Sequence, residues 1–241
     1  MRRLAVLPCM LFLAIALTAC GTSQQGTSTG PDESKDAASE QKAAVAAGTP
    51  EEILKTIQND FTDTSEKLNG DLEVVYGKLG EDYETYTANV DVLEDWYKTA
   101  ETETEALCER TRENGAAYFK AVVESAGEDD YETIDDAMDE YYDAIYDDAF
   151  TDYYRSVYED AYEDVYYTYY DDVIGDAYGN ADYDEVSDTA SDCYRSWSDS
   201  RSGVYRAWSD GRTDVYRDWS DVNGAFYSGD FDVNETLDLE G

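Results

Sequence analysis

The chain of 241 residues contains no histidine, only 3 prolines, and 17 basic residues against 57 acidic ones. Without histidine, Ser-His-Asp and Cys-His nucleophile arrangements and the helical zinc-protease motif are excluded. The shortage of Lys and Arg excludes nucleic acid and anionic lipid headgroups as electrostatic partners, because phosphate contacts need basic side chains. No glycine-rich phosphate-cradling loop is present. A carboxylate pair is enough for glycoside hydrolysis, but among 57 acids such a pair carries no information. The sequence therefore predicts a non-enzymatic chain without a cofactor. Its electrostatic partners are cations: metal ions, polyamines or basic envelope proteins and peptides.

High charge with low hydropathy favours disorder. Here it is opposed by an aromatic share of 14%, with 23 Tyr and 4 Trp placed at regular intervals.

Long apolar runs are also scarce. The one at the start, Leu4 to Leu17, follows Arg2 and Arg3 and is too short to cross a bilayer as a stable helix. It ends in Leu17-Thr18-Ala19-Cys20, where small residues precede a cysteine. These four residues resemble the lipobox of bacterial lipoproteins. The resemblance implies that residues 1–19 are a signal peptide, that the Cys20 thiol carries diacylglyceryl, and that Cys20 becomes the first mature residue. The protein would then be lipid-anchored in the cell membrane on its extracytoplasmic face. An ordinary secretory signal with a chance cysteine is the alternative. Loss of Arg2 and Arg3 leaves 15 of the 17 basic residues against 57 acids, a net charge of −42.

After Cys20 comes a Gly/Ser/Thr/Gln stretch, then an Ala-rich mixture to Gly48 without apolar periodicity. Residues 20–48 read as the lipidated cysteine and a flexible tether, spanning about 30 Å as a Gly/Ser-type coil.

A helical domain is expected over 49–227. Thr49-Pro50-Glu51-Glu52 combines an N-cap, a proline at the first helical position and a capping-box glutamate. Apolar residues then fall at Leu54, Ile57, Phe61 and Leu68. From Leu72 they alternate by four and three through Tyr76, Leu79, Tyr83, Tyr86, Val90, Leu93, Tyr97 and Ala100. That is a heptad seam, continuing less cleanly through Leu107 and Tyr118 to Val122, and it is incompatible with the period of two in a strand. Asn69-Gly70 is read as a break between two helices, the alternative being a weak spot in one very long helix, and a connection is expected at 126–130.

From Tyr141 to Asn180 the chain repeats every four residues. Tyr142, Tyr146, Phe150, Tyr154, Tyr158, Tyr162, Tyr166, Tyr170, Ile174 and Tyr178 form one row, with Ile145, Ala149, Tyr153, Val157, Ala161, Val165, Tyr169, Val173 and Ala177 beside it. On an α-helix such a double stripe drifts about 40° per step and circles the helix. Residues 128–180 hold 19 acids against Arg155 alone, and like charges four apart, such as Asp143 and Asp147, oppose the helix. Salt or divalent cations would relieve this. The surface is read either as cation-responsive or as a solvated, solubilising face.

Eleven-residue repeats follow. Tyr183, Tyr194, Tyr205 and Tyr216 open them, and Tyr227 begins a degenerate fifth. Val186, Trp197, Trp208 and Trp219 hold the fourth position; Cys193, Val204, Val215 and Phe226 hold the last. At 3.67 residues per turn these fall on one nearly straight stripe. Two readings arise: an aromatic ladder for cell-wall glycan, or the Tyr, Trp and Val core seam of the last helix. Ion pairs Arg195/Asp199, Arg206/Asp210 and Arg217/Asp221, and cation–π stacks Trp197/Arg201 and Trp208/Arg212, are expected within this helix.

Two cysteines remain in the mature domain, Cys108 beside the heptad seam and Cys193 on the inward stripe. In an oxidising compartment a disulfide between them is read ahead of its alternative, two buried thiols. Residues 228–241 read as an acidic tail. Asp230-Phe231-Asp232-Val233-Asn234 opens like a calcium loop but lacks the Gly at position six and has Gly241 at position twelve.

The expected fold is all-α: an elongated bundle of three to four long helices, coiled-coil-like, with heptad and eleven-residue repeats. The expected function is that of a membrane-anchored extracytoplasmic lipoprotein acting as a non-enzymatic structural or interaction protein with an acidic helical surface. The alternatives are a low-affinity divalent-cation (calcium) binder, and a protein that binds or hydrolyses wall glycan.

Overall fold

Thr49 opens the first helix as its sequence predicts: its Oγ1 accepts the Glu52 N–H, and the Thr49 N–H donates to Glu52 Oε2 at 3.0 Å. The computed structural model describes residues 45–127, 130–180 and 183–228. Among them every regular element is helical and there is no strand. Cys20, the signal peptide, most of the tether and the tail from Gly229 lie outside the described residues.

Helix α1 (Pro50–Leu79) buries Leu54, Ile57, Phe61, Leu68, Leu72 and Leu79. It runs unbroken through Asn69-Gly70, where a break was expected. Burial of Leu68 and Leu72 on either side outweighs the roughly 1 kcal/mol that one exposed helical glycine costs. The Leu68 carbonyl is held by Trp96 Nε1 at 3.0 Å, and Asn69 Nδ2 donates to Ser156 Oγ at 2.7 Å. The break comes instead at Gly80, whose φ of +72° is left-handed and whose added Cβ would lie 2.5 Å from Thr85 Cγ2. Asp82 restarts the chain by accepting the Thr85 N–H at 3.0 Å. Helices α2 (Tyr83–Asn89) and α3 (Asp91–Ala126) follow, and the expected connection after Ala126 is present.

The helical run 131–178 is not uniform. It alternates α4 (Tyr131–Tyr141), π1 (Tyr142–Ala149), α5 (Phe150–Tyr154), π2 (Arg155–Asp160), α6 (Ala161–Glu163), π3 (Asp164–Asp171) and α7 (Asp172–Tyr178). An α-turn holds 3.6 residues, and the i→i+5 bonding of a π turn holds roughly four and a half. Alternating them brings the mean close to the four-residue period of the sequence. The stripe expected to circle the helix therefore stays straight: Ile145, Tyr153, Val157, Ala161, Val165, Val173 and Ala177 are all buried.

Helix α8 (Tyr183–Ser228) is continuous and buries Val186, Cys193, Trp197, Val204, Val215 and Phe226, with Ala190, Gly203, Gly211 and Val222 between them. The tyrosines that open the repeats depart from the expected core seam. Tyr183, Tyr194, Tyr205, Tyr216 and Tyr227 are all exposed. One residue rotates the helix by 100°, so a Tyr next to a buried Val or Cys stands at the edge of the buried stripe.

Helix α3 packs along both α1 and α8, and the run 131–178 packs against α1 and α8, so that one core serves all of them. Polar pins fix the layers. Arg112 reaches Asp218 with Nε at 2.7 Å and Nη2 at 3.2 Å, and Thr104 Oγ1 meets the buried Tyr153 hydroxyl at 2.8 Å.

Two further expectations are corrected. Cys108 and Cys193 form no disulfide; both are free and buried. Cys108 faces Ala207 and Gly211 of α8. Cys193 lies fourteen residues before Ala207 on that helix, about 21 Å away by helical rise, whereas a bridge needs Cα atoms within about 7 Å. The arginines of the repeats do not reach forward four residues. Arg195 and Arg217 reach back three, to Asp192 at 3.0 Å and Asp214 at 2.7 Å, and Arg206 Nε donates to the Ser202 carbonyl at 3.4 Å. Helical side chains lean toward the N-terminus, which favours the backward contact.

Candidate functional site

The straightened run and α8 lie antiparallel, and their aromatic residues meet in three rungs. Tyr216 and Trp219 contact Tyr142 and Tyr146. Tyr205 and Trp208 contact Tyr154 and Tyr158. Tyr194 contacts Tyr166 and Tyr170 with ring centroids 6.5 Å and 5.8 Å apart, and Trp197 closes that rung against Tyr162. Along α8 the rungs recur every eleven residues; along the run they recur every twelve. The wider π turns take up the extra residue, so the two rows keep step.

The tryptophans face inward. Trp197 is fully buried and stacks on Tyr97 at 6.0 Å. Trp208 Nε1 donates to the Phe150 carbonyl at 2.9 Å and Trp219 Nε1 to the Met138 carbonyl at 3.0 Å. Trp208 and Trp219 are half-buried and pinned between helices by these bonds, and Trp197 is enclosed in the core. The α8 tyrosines are the solvent side of each rung, unlike the core seam that is one of the two readings of the repeat.

Two arginines sit between the rungs. The Arg201 guanidinium carbon lies 4.0 Å from the Tyr158 ring centroid and 3.8 Å from that of Tyr162, bridging the second and third rungs. Its Nε is buried and has no hydrogen-bond partner among the described residues. Arg212 lies 4.0 Å from Tyr146 and 5.6 Å from Trp208, bridging the first and second. The expected Trp208/Arg212 stack is therefore present, while Arg201 chooses tyrosines of the opposing run over Trp197. Its backbone partner explains the position of Arg212. At the end of π1 the Phe150 N–H reaches back five residues to the Ile145 carbonyl. The return to i→i+4 bonding passes over one carbonyl, and the Tyr146 carbonyl accepts from Arg212 Nε at 3.2 Å.

Carboxylates border the rungs. Asp143, Asp147, Glu159, Glu163 and Asp171 each follow a rung or neighbouring tyrosine by one residue and are exposed. Partial burial, followed by nearby charge, holds the Tyr142 and Tyr154 hydroxyls above the usual phenol range, with Asp147 and Glu159 the leading charges. These phenols stay neutral at ordinary pH.

The remaining sites are less organised. A groove of about 430 Å³ between α3 and α8 is lined by Glu101, Glu105, Glu109, Arg112, Asp214 and the Cys108 thiol. Burial, helped by Asp214, pushes that thiol up to about 12, so it is no nucleophile at neutral pH. Burial also raises the Cys193 thiol. Among the described residues no three Cys, Asp or Glu side chains are grouped to hold a metal ion, and no helix is long and apolar enough to cross a membrane. The lipidation residue Cys20 and the calcium-loop-like Asp230–Asn234 stretch lie outside the described residues.

No protein family, curated protein or solved structure matches the chain.

Proposed function

We propose that the chain is a non-enzymatic interaction protein, anchored to the extracytoplasmic face of the membrane by lipid on Cys20, that meets its partners through an acidic helical surface. The heptad and eleven-residue periodicities support reading its helices as an elongated, coiled-coil-like bundle. The observation that carries the reading is the line of half-exposed tyrosine rungs bordered by carboxylates, in a chain of net charge −40. Ordered rings on the surface cost solvation unless they are used, and single-sign charge selects partners of opposite sign. The tether of residues 20–48 would hold this surface off the membrane.

The test has two arms. Radiolabelled palmitate is expected in the wild-type protein and not in Cys20→Ala; label in neither removes the anchor. The purified mature chain is expected to retain a basic envelope protein that high salt releases. Hydrolysis of wall glycan by the purified protein would defeat the non-enzymatic reading.

A second reading is a low-affinity divalent-cation binder. It is favoured by the four-residue spacing of the acid stripe, which sets like charges one turn apart. Circular dichroism during a calcium titration at low ionic strength tests it, and no gain in helicity removes it.

A further inference from the structure

We propose that the three tyrosine rungs form a docking site for an extended, arginine-rich polypeptide segment, one guanidinium stacking at each rung. This deepens the interaction-protein reading and rests on it.

The rungs already hold two guanidinium groups. Arg201 and Arg212 show that these rings accept a guanidinium over their faces, with its carbon at 3.8–4.0 Å from the tyrosine centroids. Both come from the chain's own α8, are half-buried, and fill the gaps between rungs. The outer side of each rung is open: Tyr194, Tyr205 and Tyr216 keep 36%, 43% and 42% of their surface. One helical turn beyond each of them stands a small residue, Ser198, Ser209 or Ser220, which leaves the ring uncovered. The arginines next to these tyrosines point elsewhere: Arg195 and Arg217 pair with Asp192 and Asp214, and Arg206 Nε donates to the Ser202 carbonyl at 3.4 Å.

Charge decides the sign of the occupant. The exposed carboxylates beside the rungs repel an acidic segment and supply counter-charge to a basic one. Geometry then separates arginine from lysine. A planar, weakly hydrated guanidinium stacks on an aromatic face and still donates in its plane to a neighbouring carboxylate, which a compact ammonium cannot do at once. Spacing sets the reading frame. Rungs eleven residues apart on α8 stand about 16 Å apart. An extended chain advances about 3.3 Å per residue, so arginines about five residues apart match consecutive rungs.

The experiment titrates the full mature chain with a serine-based peptide carrying arginine at every fifth residue, and with its lysine counterpart, by calorimetry at low salt. The arginine peptide is expected to bind about tenfold more tightly than the lysine one. Combined Tyr194→Ser, Tyr205→Ser and Tyr216→Ser should reduce it to the lysine level, while Tyr→Phe at the same positions should keep the preference. Equal affinity of the two peptides for the wild-type chain overturns the proposal, whatever the variants do. An arginine preference that survives the triple serine variant overturns it as well. Capture of a basic envelope protein by a chain that binds neither peptide overturns the ladder as a site and leaves the interaction-protein reading standing. Binding of neither peptide and no partner overturns both.

Discussion

The Arg212 guanidinium lies 4.0 Å from the Tyr146 ring centroid while its Nε donates to the carbonyl of the same residue at 3.2 Å. With its Nη2 also 3.6 Å from Asp147 Oδ1, this side chain clamps α8 to the widened turn at three points. Arg212→Ala removes a partly desolvated cation–π contact and a charged hydrogen bond, for an expected loss of about 2–3 kcal/mol in urea unfolding. Arg212→Lys should recover less than half, because an ammonium cannot stack and reach that carbonyl together. A loss below about 0.5 kcal/mol for the alanine variant, the size of an ordinary surface change, would mean that the clamp is not stabilising.

At Gly211 helix α8 comes close to α3. A Cβ added there would lie 2.1 Å from Cys108 Sγ and 2.5 Å from Cys108 Cβ. Gly211→Ala should therefore destabilise by about 1–3 kcal/mol from overpacking, although alanine is the better helix former. Cys108→Ala in the same chain should return part of the loss, since it deletes the nearest clashing atom. Additive effects of the two substitutions would show that they do not meet. Because the thiols are apart, Cys108 and Cys193 of the unfolded wild-type chain should also both take maleimide without prior reduction.

The sequence announced helices plainly, and it announced some of their ends. The capping box at Thr49 and the stop after Ala126 rest on local chemistry, and both are where their residues place them. The break at Gly80 was not legible. Its cause is a positive φ and the nearness of Thr85, neither of which periodicity reports. The four-residue period of 141–180 was visible, but a helix was assumed to be α, so its stripe was expected to circle. Only the π turns show how that period is kept on one face. The same gap hid the rungs. Tyr205 and Val204 are neighbours in an apolar repeat, yet a 100° step separates a buried position from an edge, and the edge is what makes a surface. The disulfide failed on height along α8, which two inward-facing positions cannot reveal.

Like charges aligned one turn apart make stability depend on screening. Asp143 and Asp147, and Glu159 and Glu163, stand four residues apart on a run whose mean turn is close to four. Raising sodium chloride from about 0.01 M to 0.5 M shortens the Debye length from about 30 Å to under 5 Å. Tm should rise by several degrees over that range. With no grouped ligands among the described residues, the rise is expected to follow ionic strength smoothly. A saturable extra gain with calcium at matched ionic strength would instead favour the divalent-cation reading.

Alkaline pH should undo the fold from its core. Tyr118, Tyr141 and Tyr153 are buried, and burial, as the leading cause, raises each phenol well above its usual range. The Cys108 thiol is likewise pushed up to about 12. In the unfolded chain these groups return to about 10 for Tyr and about 8.5 for Cys. Below those values folded and unfolded states bind the same protons, and the contribution to stability is complete. Above them the unfolded state ionises first and binds fewer protons, so stability falls as pH rises. The decline should begin above about pH 8.5 through Cys108 and steepen above about pH 10, where each buried phenol removes about 1.4 kcal/mol per pH unit. Absorbance at the tyrosinate band and far-ultraviolet circular dichroism, recorded together, check this. Some of the 23 tyrosines should titrate before helicity changes, and the rest should ionise only as helicity is lost. Titration of all of them near pH 10 with full helicity retained would mean that the core phenols are not shielded.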